Sequence, residues 1–141
     1  MRRGVASCLL LLVAACAGAG GPEEFAAAKD RAQELAFLIL EAVAVPGYDV
    51  EIQSGETSCD PQPLRNFSVD GGVRTENLVP SPLRAAIDVL QTEGLEAITT
   101  TQFSTTGTQV TAREGALTVQ VGYYENEALN VLVFTGCYRD E

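Results

Sequence analysis

The sequence predicts a two-layer α+β domain, in which two helices pack on one face of a curved antiparallel sheet. Apolar residues from 25 to 43 recur at spacings of three and four, and a shorter stripe of the same period covers 83–90, which indicates two amphipathic helices. After residue 94 the apolar period changes to two, and turn signals divide the chain into four runs. The predicted order is α-β-β-α-β-β-β-β.

The composition excludes several classes of function. The chain has 141 residues, with 19 acidic and 9 basic side chains, no histidine and a net charge of -10. One domain of this size can bury a substantial core. So acidic a chain is not expected to bind nucleic acid, because phosphate contacts need clustered Lys and Arg. Without histidine, the commonest general base and transition-metal ligand is missing.

The first 15 residues are predicted to be a signal peptide. Residues 1–4 are basic, and the apolar run 5–15 is shorter than the ~20 residues that a membrane-spanning helix needs. Val13-Ala14-Ala15-Cys16 resembles the bacterial lipobox, whose Cys receives a diacylglyceryl group and becomes the mature N-terminus. The alternative is an incidental Cys in a plain signal peptide. Cys8, in a similar tetrapeptide, has too few residues before it to be the lipid site.

Lipidation of Cys16 would anchor the protein at the extracytoplasmic face of the cell membrane without spanning it. After cleavage the chain keeps 19 acids against 7 bases, so no basic patch is expected to bind anionic lipid. We expect residues 16–22 to form the lipidated N-terminus with a short flexible linker, and residues 23–141 to form the single extracytoplasmic domain.

The first predicted helix begins at Pro22, because proline suits the first helical turn, and Glu23 and Glu24 complement the positive end of the helix dipole. Val45-Pro46-Gly47 ends it. Its apolar face is broad, and we expect this face to pack on the sheet. The alternative is a helix that binds a partner or a membrane surface.

Two strands are predicted between the helices. Residues 48–53 alternate between apolar and polar side chains, which is typical of a half-buried strand. Residues 55–63, with two prolines, predict a loop, and 64–69 predict the second strand. Asp70-Gly71-Gly72 has the composition of a turn. Residues 73–79 fit either a further edge strand or an extended loop.

The second helix is predicted to have Ser81 as its N-cap, Pro82 as its first residue and Gly94 as its C-terminal stop. The four strands that follow form an antiparallel meander. We expect residues 129–134 to form a central strand, because they are apolar on both faces. The four predicted strands cover residues 95–103, 108–113, 117–124 and 129–138.

Two of the four cysteines are predicted to form a disulfide. Once Cys8 leaves with the signal peptide and Cys16 is lipidated, Cys59 and Cys137 remain as a pair in a compartment where disulfides persist. The bond would tie the last strand to the first hairpin and stabilise the fold by ~4.5 kcal/mol. The alternatives are a redox-active pair of thiols or a metal site, but there is no Cys-x-x-Cys and no histidine.

Few residues suggest chemistry. Glu125-Asn126-Glu127 and Asp70-Gly71-Gly72 loosely resemble cation-binding loops, but they lack the ligand density of a calcium site and fit solvated turns. Thr99-Thr100-Thr101 and Ser104-Thr105-Thr106 could present hydroxyl groups to a sugar, although strand propensity explains them more simply. We therefore expect no catalytic residue, no metal site and no cofactor.

The whole order of features resembles that of small, uncharacterised secreted lipoproteins of actinobacteria. The specific pieces are Val13-Ala14-Ala15-Cys16 and the spacing of Cys59 and Cys137. This resemblance implies an exported, membrane-tethered and non-enzymatic domain, with no catalytic residues to carry over.

Two functions from different classes remain. The first is an interaction or accessory module that presents an edge strand or a sheet face to another protein of the cell envelope. The second is a carrier that binds a lipid-like or other small apolar ligand between the helices and the sheet. A connected cavity in that position would favour the carrier, and a filled core would favour the interaction module.

Overall fold

The computed structural model describes residues 20–60 and 63–140. These form two helices and seven strands, so the predicted α+β class and the order of its elements are confirmed. The helices are α1 (Pro22–Val43) and α2 (Pro82–Thr92), and a 3-10 turn covers Thr75–Asn77. The strands are β1 (Gln53–Ser58), β2 (Leu64–Arg74), β3 (Glu96–Gln102), β4 (Gly107–Glu114), β5 (Leu117–Tyr124), β6 (Ala128–Phe134) and β7 (Tyr138–Arg139).

All strands belong to one antiparallel sheet with the order β1-β2-β6-β5-β4-β3. The short β7 pairs with the first residues of β2. The meander from β3 to β6 is the predicted one, and β6 lies between β2 and β5, as its apolar character on both faces predicts. The two edges of the sheet are β1 and β3, and the sheet does not close.

Helix α1 begins where its sequence signals place it. Pro22 occupies the first turn, and the backbone N–H of Gly21 donates to the carboxylate of Glu24 at 2.6 Å. This bond satisfies a backbone donor that would otherwise lack an intrahelical partner. The apolar stripe faces the sheet, and its buried residues are Phe25, Ala28, Ala32, Leu35, Ala36, Ile39, Leu40 and Val43.

Helix α2 packs beside α1 on the same face of the sheet. Ser81 stands at the predicted N-cap position, but it adopts a left-handed backbone with φ of 62° and its side chain makes no capping hydrogen bond. Gly94 follows the helix with φ of 83°, a conformation that glycine reaches without steric cost. Its N–H donates to the carbonyl of Gln91, which closes the last turn.

The prediction of a strand at residues 48–53 is wrong, because the first strand is Gln53–Ser58, and residues 55–58 of it were expected to be a loop. The hairpin closes directly after Ser58, where the N–H of Cys59 donates to the carbonyl of Leu64 at 2.8 Å. This register places Gln53 opposite Asp70. The preceding residues leave the ladder because Val50 and Ile52 pack against the core.

The predicted turn at residues 70–72 is also wrong. Strand β2 continues through both glycines to Arg74, because β6 pairs with it along this stretch. At these two glycines, atoms from other parts of the chain lie close to the backbone of β2. A Cβ atom on Gly71 would lie 2.7 Å from the carbonyl oxygen of Glu51 and 2.7 Å from the Cδ1 of Leu40, and one on Gly72 would collide with the side chain of Asn130.

The predicted disulfide between Cys59 and Cys137 is present, with Cα atoms 6.2 Å apart. Its surroundings differ from the expectation in one respect. The run 129–138 is not one strand: β6 ends at Phe134, and Cys137 lies between β6 and β7. The ladder ends at Thr135: its N–H still donates to the carbonyl of Phe67, but the N–H of Phe67 donates to the Thr135 hydroxyl. The disulfide therefore joins the end of β1 to the connection that precedes β7.

The interface between the helices and the sheet is filled by side chains. Leu35, Ile39 and Leu40 of α1 are fully buried, and so are Val119 and Leu129 of the sheet. Packed interiors of this kind leave few voids larger than a water molecule. The core therefore lies between the two layers, and neither of the two described helices covers the opposite face of the sheet.

Candidate functional site

The uncovered face of the sheet carries a groove of about 690 Å³, which we call the open-face groove. Its position follows from the strand register, which aligns outward-facing residues of five strands in two cross-strand rows of four residues each. Strands β4, β5, β6 and β2 contribute one row, and β5, β6, β2 and β1 contribute the other. The first row is Gln109, Gly122, Asn130 and Gly72, and the second is Gln120, Leu132, Asp70 and Gln53.

Glycines form part of the floor. Gly122 lies in β5, a strand with neighbours on both sides, and its backbone has no left-handed conformation that would require glycine. The nearest heavy atom to a Cβ built on Gly122 is the Cε2 of Tyr124, at 3.5 Å, which is an ordinary contact. The fold therefore has room for a side chain here, and its absence deepens the groove.

Four side-chain amides line the groove: Gln53 at the β1 edge, and Gln109, Gln120 and Asn130 on the floor. Gln109 Nε2 donates to the hydroxyl of Thr111 at the long distance of 3.4 Å. The side-chain amides of Gln120 and Asn130 make no hydrogen bond to another residue within 20–60 and 63–140. Each amide carries two donor hydrogens and an acceptor oxygen. The floor therefore offers hydrogen-bonding groups that the fold itself leaves almost unused.

Carboxylates gather at one end of the groove. Asp49 and Glu51 come from the segment before β1, and Asp70 comes from β2. All three are exposed, and none forms an ion pair with another described residue. The described lining also contains no Lys and no Arg. This end of the groove is therefore negatively charged.

Two tyrosines border the groove. Tyr124 and Tyr48 are each 37% exposed. The ring of Tyr124 contacts Phe103 edge-to-face, with centroids 5.4 Å apart, so its position is held by a second aromatic ring. The groove thus combines amide, carboxylate and phenol groups with two exposed aromatic surfaces.

Most of the ion pairs of the described residues lie on the helix side instead. Arg31 of α1 bonds to Glu114 at 3.0 Å and to Glu93 at 2.9 Å, and it also pairs with Glu34. The bond to Glu114 raises the pKa of Arg31 above its ordinary value, and Arg31 in turn lowers the pKa of Glu114. The network joins α1 to the end of α2 and to the end of β4.

A second ion-pair cluster lies at the β1 edge, on the side of the sheet that α1 covers. Glu56 accepts hydrogen bonds from Lys29 at 2.9 Å and from Arg65 at 3.1 Å, and these two cations, Lys29 first, lower its pKa. Lys29 Nζ also lies 4.5 Å from the centroid of the Phe25 ring. Both clusters join helix to sheet and contribute nothing to the open-face groove.

The residues predicted from sequence fall in different places. The lipidation site Cys16 and the rejected Cys8 lie outside the described residues. The pair Cys59 and Cys137 forms the disulfide but does not line the groove. Of the loosely cation-like segments, Asp70 became part of the groove, whereas residues 125–127 form the exposed turn between β5 and β6.

Sequence reasoning missed the groove itself. A signal for it lies in the predicted strand 117–124, where polar Gln120 alternates with apolar residues and Gly122 interrupts the strand pattern. No described group of three or more Cys, Asp or Glu side chains is placed to hold a metal ion. Within the described ranges, neither helix is long and apolar enough to cross a membrane.

The chain matches no protein-family model, no curated protein and no solved structure.

Proposed function

We propose that this chain is an exported lipoprotein that acts as a non-catalytic binding module of the cell envelope. Residues 1–15 direct export, Cys16 carries the lipid, and the open-face groove binds an envelope component. The observation that carries the binding role is the groove, with about 690 Å³ of space and polar side chains that the fold leaves unpaired. This volume lies in the range of ligand sites in proteins.

The packing of the core supports this proposal over a carrier of apolar ligands. A carrier of that kind needs space between the helices and the sheet, and Leu35, Ile39 and Val121 are fully buried there. Two further cavities lie elsewhere. One borders the first turn of α1, and the other, lined by Leu38 and Val89 among others, lies on the outer surface of the two helices.

The position of Gly20 limits how far the domain can move from its anchor. The carbonyl of Gly20 accepts a hydrogen bond from the N–H of Arg139 at 2.9 Å, and a Cβ on Gly20 would lie 3.0 Å from the ring of Tyr138. Gly20 therefore belongs to the folded unit. Four residue steps separate it from Cys16, which reach about 14 Å when fully extended. Such a tether keeps the groove near the membrane, where envelope ligands are concentrated.

The anchor is tested by replacing Cys16. We expect Cys16→Ser to leave the precursor uncut or to release the protein into the medium, whereas Cys8→Ser keeps the wild-type partition into detergent. A Cys16→Ser variant that is processed and partitions like the wild type would show that the anchor assignment is wrong.

The binding role is tested with the processed protein in detergent micelles and with isolated envelope from its own source. We expect saturable binding that is lost in a variant with Gln109, Gln120 and Asn130 all changed to Ala. The matched control changes Gln91, Thr100 and Gln102 to Ala, because these exposed residues lie outside the groove, on α2 and on the helix side of β3. Equal binding by both variants would contradict a role for the groove.

A further inference from the structure

Resting on the proposed function, we infer that the open-face groove binds an uncharged saccharide chain. The first step of the argument is charge. Asp49, Glu51 and Asp70 stand at one end of the groove, and its described lining contains no Lys or Arg. A phosphate, an anionic headgroup or an acidic glycan would meet like charges with no compensating cation in the lining of the groove. The ligand is therefore neutral or positively charged.

The second step is hydrogen bonding. Carboxylates only accept hydrogen bonds, and the amides both donate and accept. A ligand that forms hydrogen bonds with both the carboxylates and the amides must carry several groups that can each donate and accept a hydrogen bond. Hydroxyl groups do so, and a saccharide carries them along its whole length. An apolar ligand would leave Gln120, Asn130 and Asp70 desolvated without partners, which is costly.

The third step is the shape of the apolar surface. Sugar rings have C–H faces bordered by hydroxyl groups, so they need small apolar contact areas next to polar groups. The groove offers this combination: the flat backbone at Gly122 lies beside the ring of Tyr124, and Leu132 lies in the neighbouring row between Gln120 and Asp70. Tyrosine supplies an apolar ring with a polar end.

The fourth step is the glycine in the central strand. Glycine in a strand interior weakens the strand, and it often marks a place where a ligand approaches the backbone closely. The fold does not require glycine at position 122, since a Cβ there makes only an ordinary contact. A ligand that lies flat on the strand between Gln109 and Asn130 does require it.

A basic peptide is the rival ligand. An extended peptide gains most of its affinity from main-chain hydrogen bonds at an exposed sheet edge. The groove lies on a face, where the backbone hydrogen-bonding groups of the strands are paired within the sheet. Its carboxylates are confined to one end, whereas Gln109, Gln120 and Tyr124 at the other end are uncharged. These features favour a saccharide over a peptide.

The test follows the side-chain amide signals of Gln109, Gln120 and Asn130 by NMR, on the processed protein in detergent micelles. The neutral probes are cellotetraose, maltotetraose, mannotetraose and chitotetraose, each added to about 10 mM, which would saturate a site with millimolar affinity. The comparison probes are tetragalacturonate, which is anionic, and a Lys-Ala-Lys-Ala peptide. We expect at least one neutral tetrasaccharide to shift all three amide signals saturably, and tetragalacturonate to leave them unchanged.

Two variants locate the binding. Gly122→Val fills the floor and is expected to weaken binding by about tenfold or more. Its control is Thr118→Val, on the same strand and the same face but outside the groove lining, which should bind as the wild type does. Gln120→Ala, with Gln102→Ala as control, gives the same contrast without added bulk. Equal affinities within both pairs would overturn the inference.

The remaining outcomes separate the inference from the proposed function. If the peptide alone shifts the amide signals, the saccharide is wrong, and the groove remains a binding site. If no probe shifts them, the saccharide inference is overturned, and the envelope-binding experiment with the triple variants decides the proposed function separately. If tetragalacturonate binds as well as the neutral probes, the charge argument is wrong and the inference fails with it.

Discussion

The two faces of the sheet are made by the same strands, yet they have different compositions. Toward the helices, β4, β5 and β6 present small aliphatic side chains that are almost completely buried: Val110, Ala112, Val119, Val121, Leu129, Val131 and Val133. Toward solvent, the same strands present Gln109, Thr111, Gln120, Gly122, Asn130 and Leu132. The hydrophobic stabilisation of the fold is thus concentrated on one face, which leaves the composition of the other free to serve binding.

The disulfide gives the largest expected effect. Changing Cys59 and Cys137 together to Ala should lower the free energy of unfolding by about 4.5 kcal/mol, because the bond closes a long loop in the unfolded chain. Urea unfolding of the two proteins measures this loss. The bond joins the end of β1 that lies away from Gln53 to the region before β7, so ligand binding should survive. Loss of binding in the folded variant would show that the groove depends on this bond.

The next prediction compares two leucines of β6 that point to opposite faces. Leu129 is fully buried under the helices, whereas Leu132 is half-buried on the open face. Leu129→Ala should cost about 3 kcal/mol of unfolding free energy, because it leaves a cavity in a packed core, and Leu132→Ala should cost less than about 1 kcal/mol. Thermal and urea unfolding check both. Equal costs would mean that the open face is covered in solution.

Substitutions of two glycines are expected to change the free energy of unfolding in opposite directions. Gly71→Ala should destabilise the fold by about 2 kcal/mol, because its Cβ would lie 2.7 Å from the backbone oxygen of Glu51 and from a methyl group of Leu40. Gly122→Ala should stabilise it by about 0.5 kcal/mol, because alanine reduces the conformational freedom of the unfolded chain and fits the native strand. Parallel urea unfolding curves measure both signs. A destabilised Gly122→Ala would mean that the fold, and not a ligand, requires the glycine.

The last pair of variants concerns charge. Arg31→Met should cost about 1 kcal/mol at neutral pH, because it removes hydrogen bonds to three carboxylates, whereas Arg113→Met, at an exposed position of the open face, should cost almost nothing. Unfolding curves at neutral pH measure both. Similar costs for the two variants would contradict a special role for the helix-side network.

The same network makes a pH-dependent contribution. Arg31 holds the pKa of Glu114 below its ordinary value of 4.5. This contribution is therefore present above pH 4.5 and is lost as the pH falls through the lower pKa of the folded state. The free energy of unfolding, measured by urea unfolding across this acidic range, should fall less steeply with decreasing pH for Arg31→Met than for the wild type. An unchanged slope would show that other carboxylates carry the acid sensitivity.

Much of the fold could be predicted because its signals are local. The stripe of α1, the proline at each helix start and the period of two after residue 94 each involve neighbouring residues. The errors fall where tertiary contacts override local preference. Residues 48–52 alternate like a strand, but Val50 and Ile52 pack on the core without pairing. Gly71-Gly72 has the composition of a turn, although both residues lie in β2 and pair with β6.

By itself, the sequence determined the class of the domain, the two helices, the meander and the pairing of Cys59 with Cys137. Periodicity and turn residues suffice to predict the elements, because they depend on neighbouring residues. The disulfide follows from the number of cysteines that remain after the proposed export. Only the tertiary structure decided that Gln109, Gly122, Asn130 and Gly72 form one row. These residues come from four strands, and strand order and register depend on how the helices and the aliphatic face pack together, which no local segment specifies.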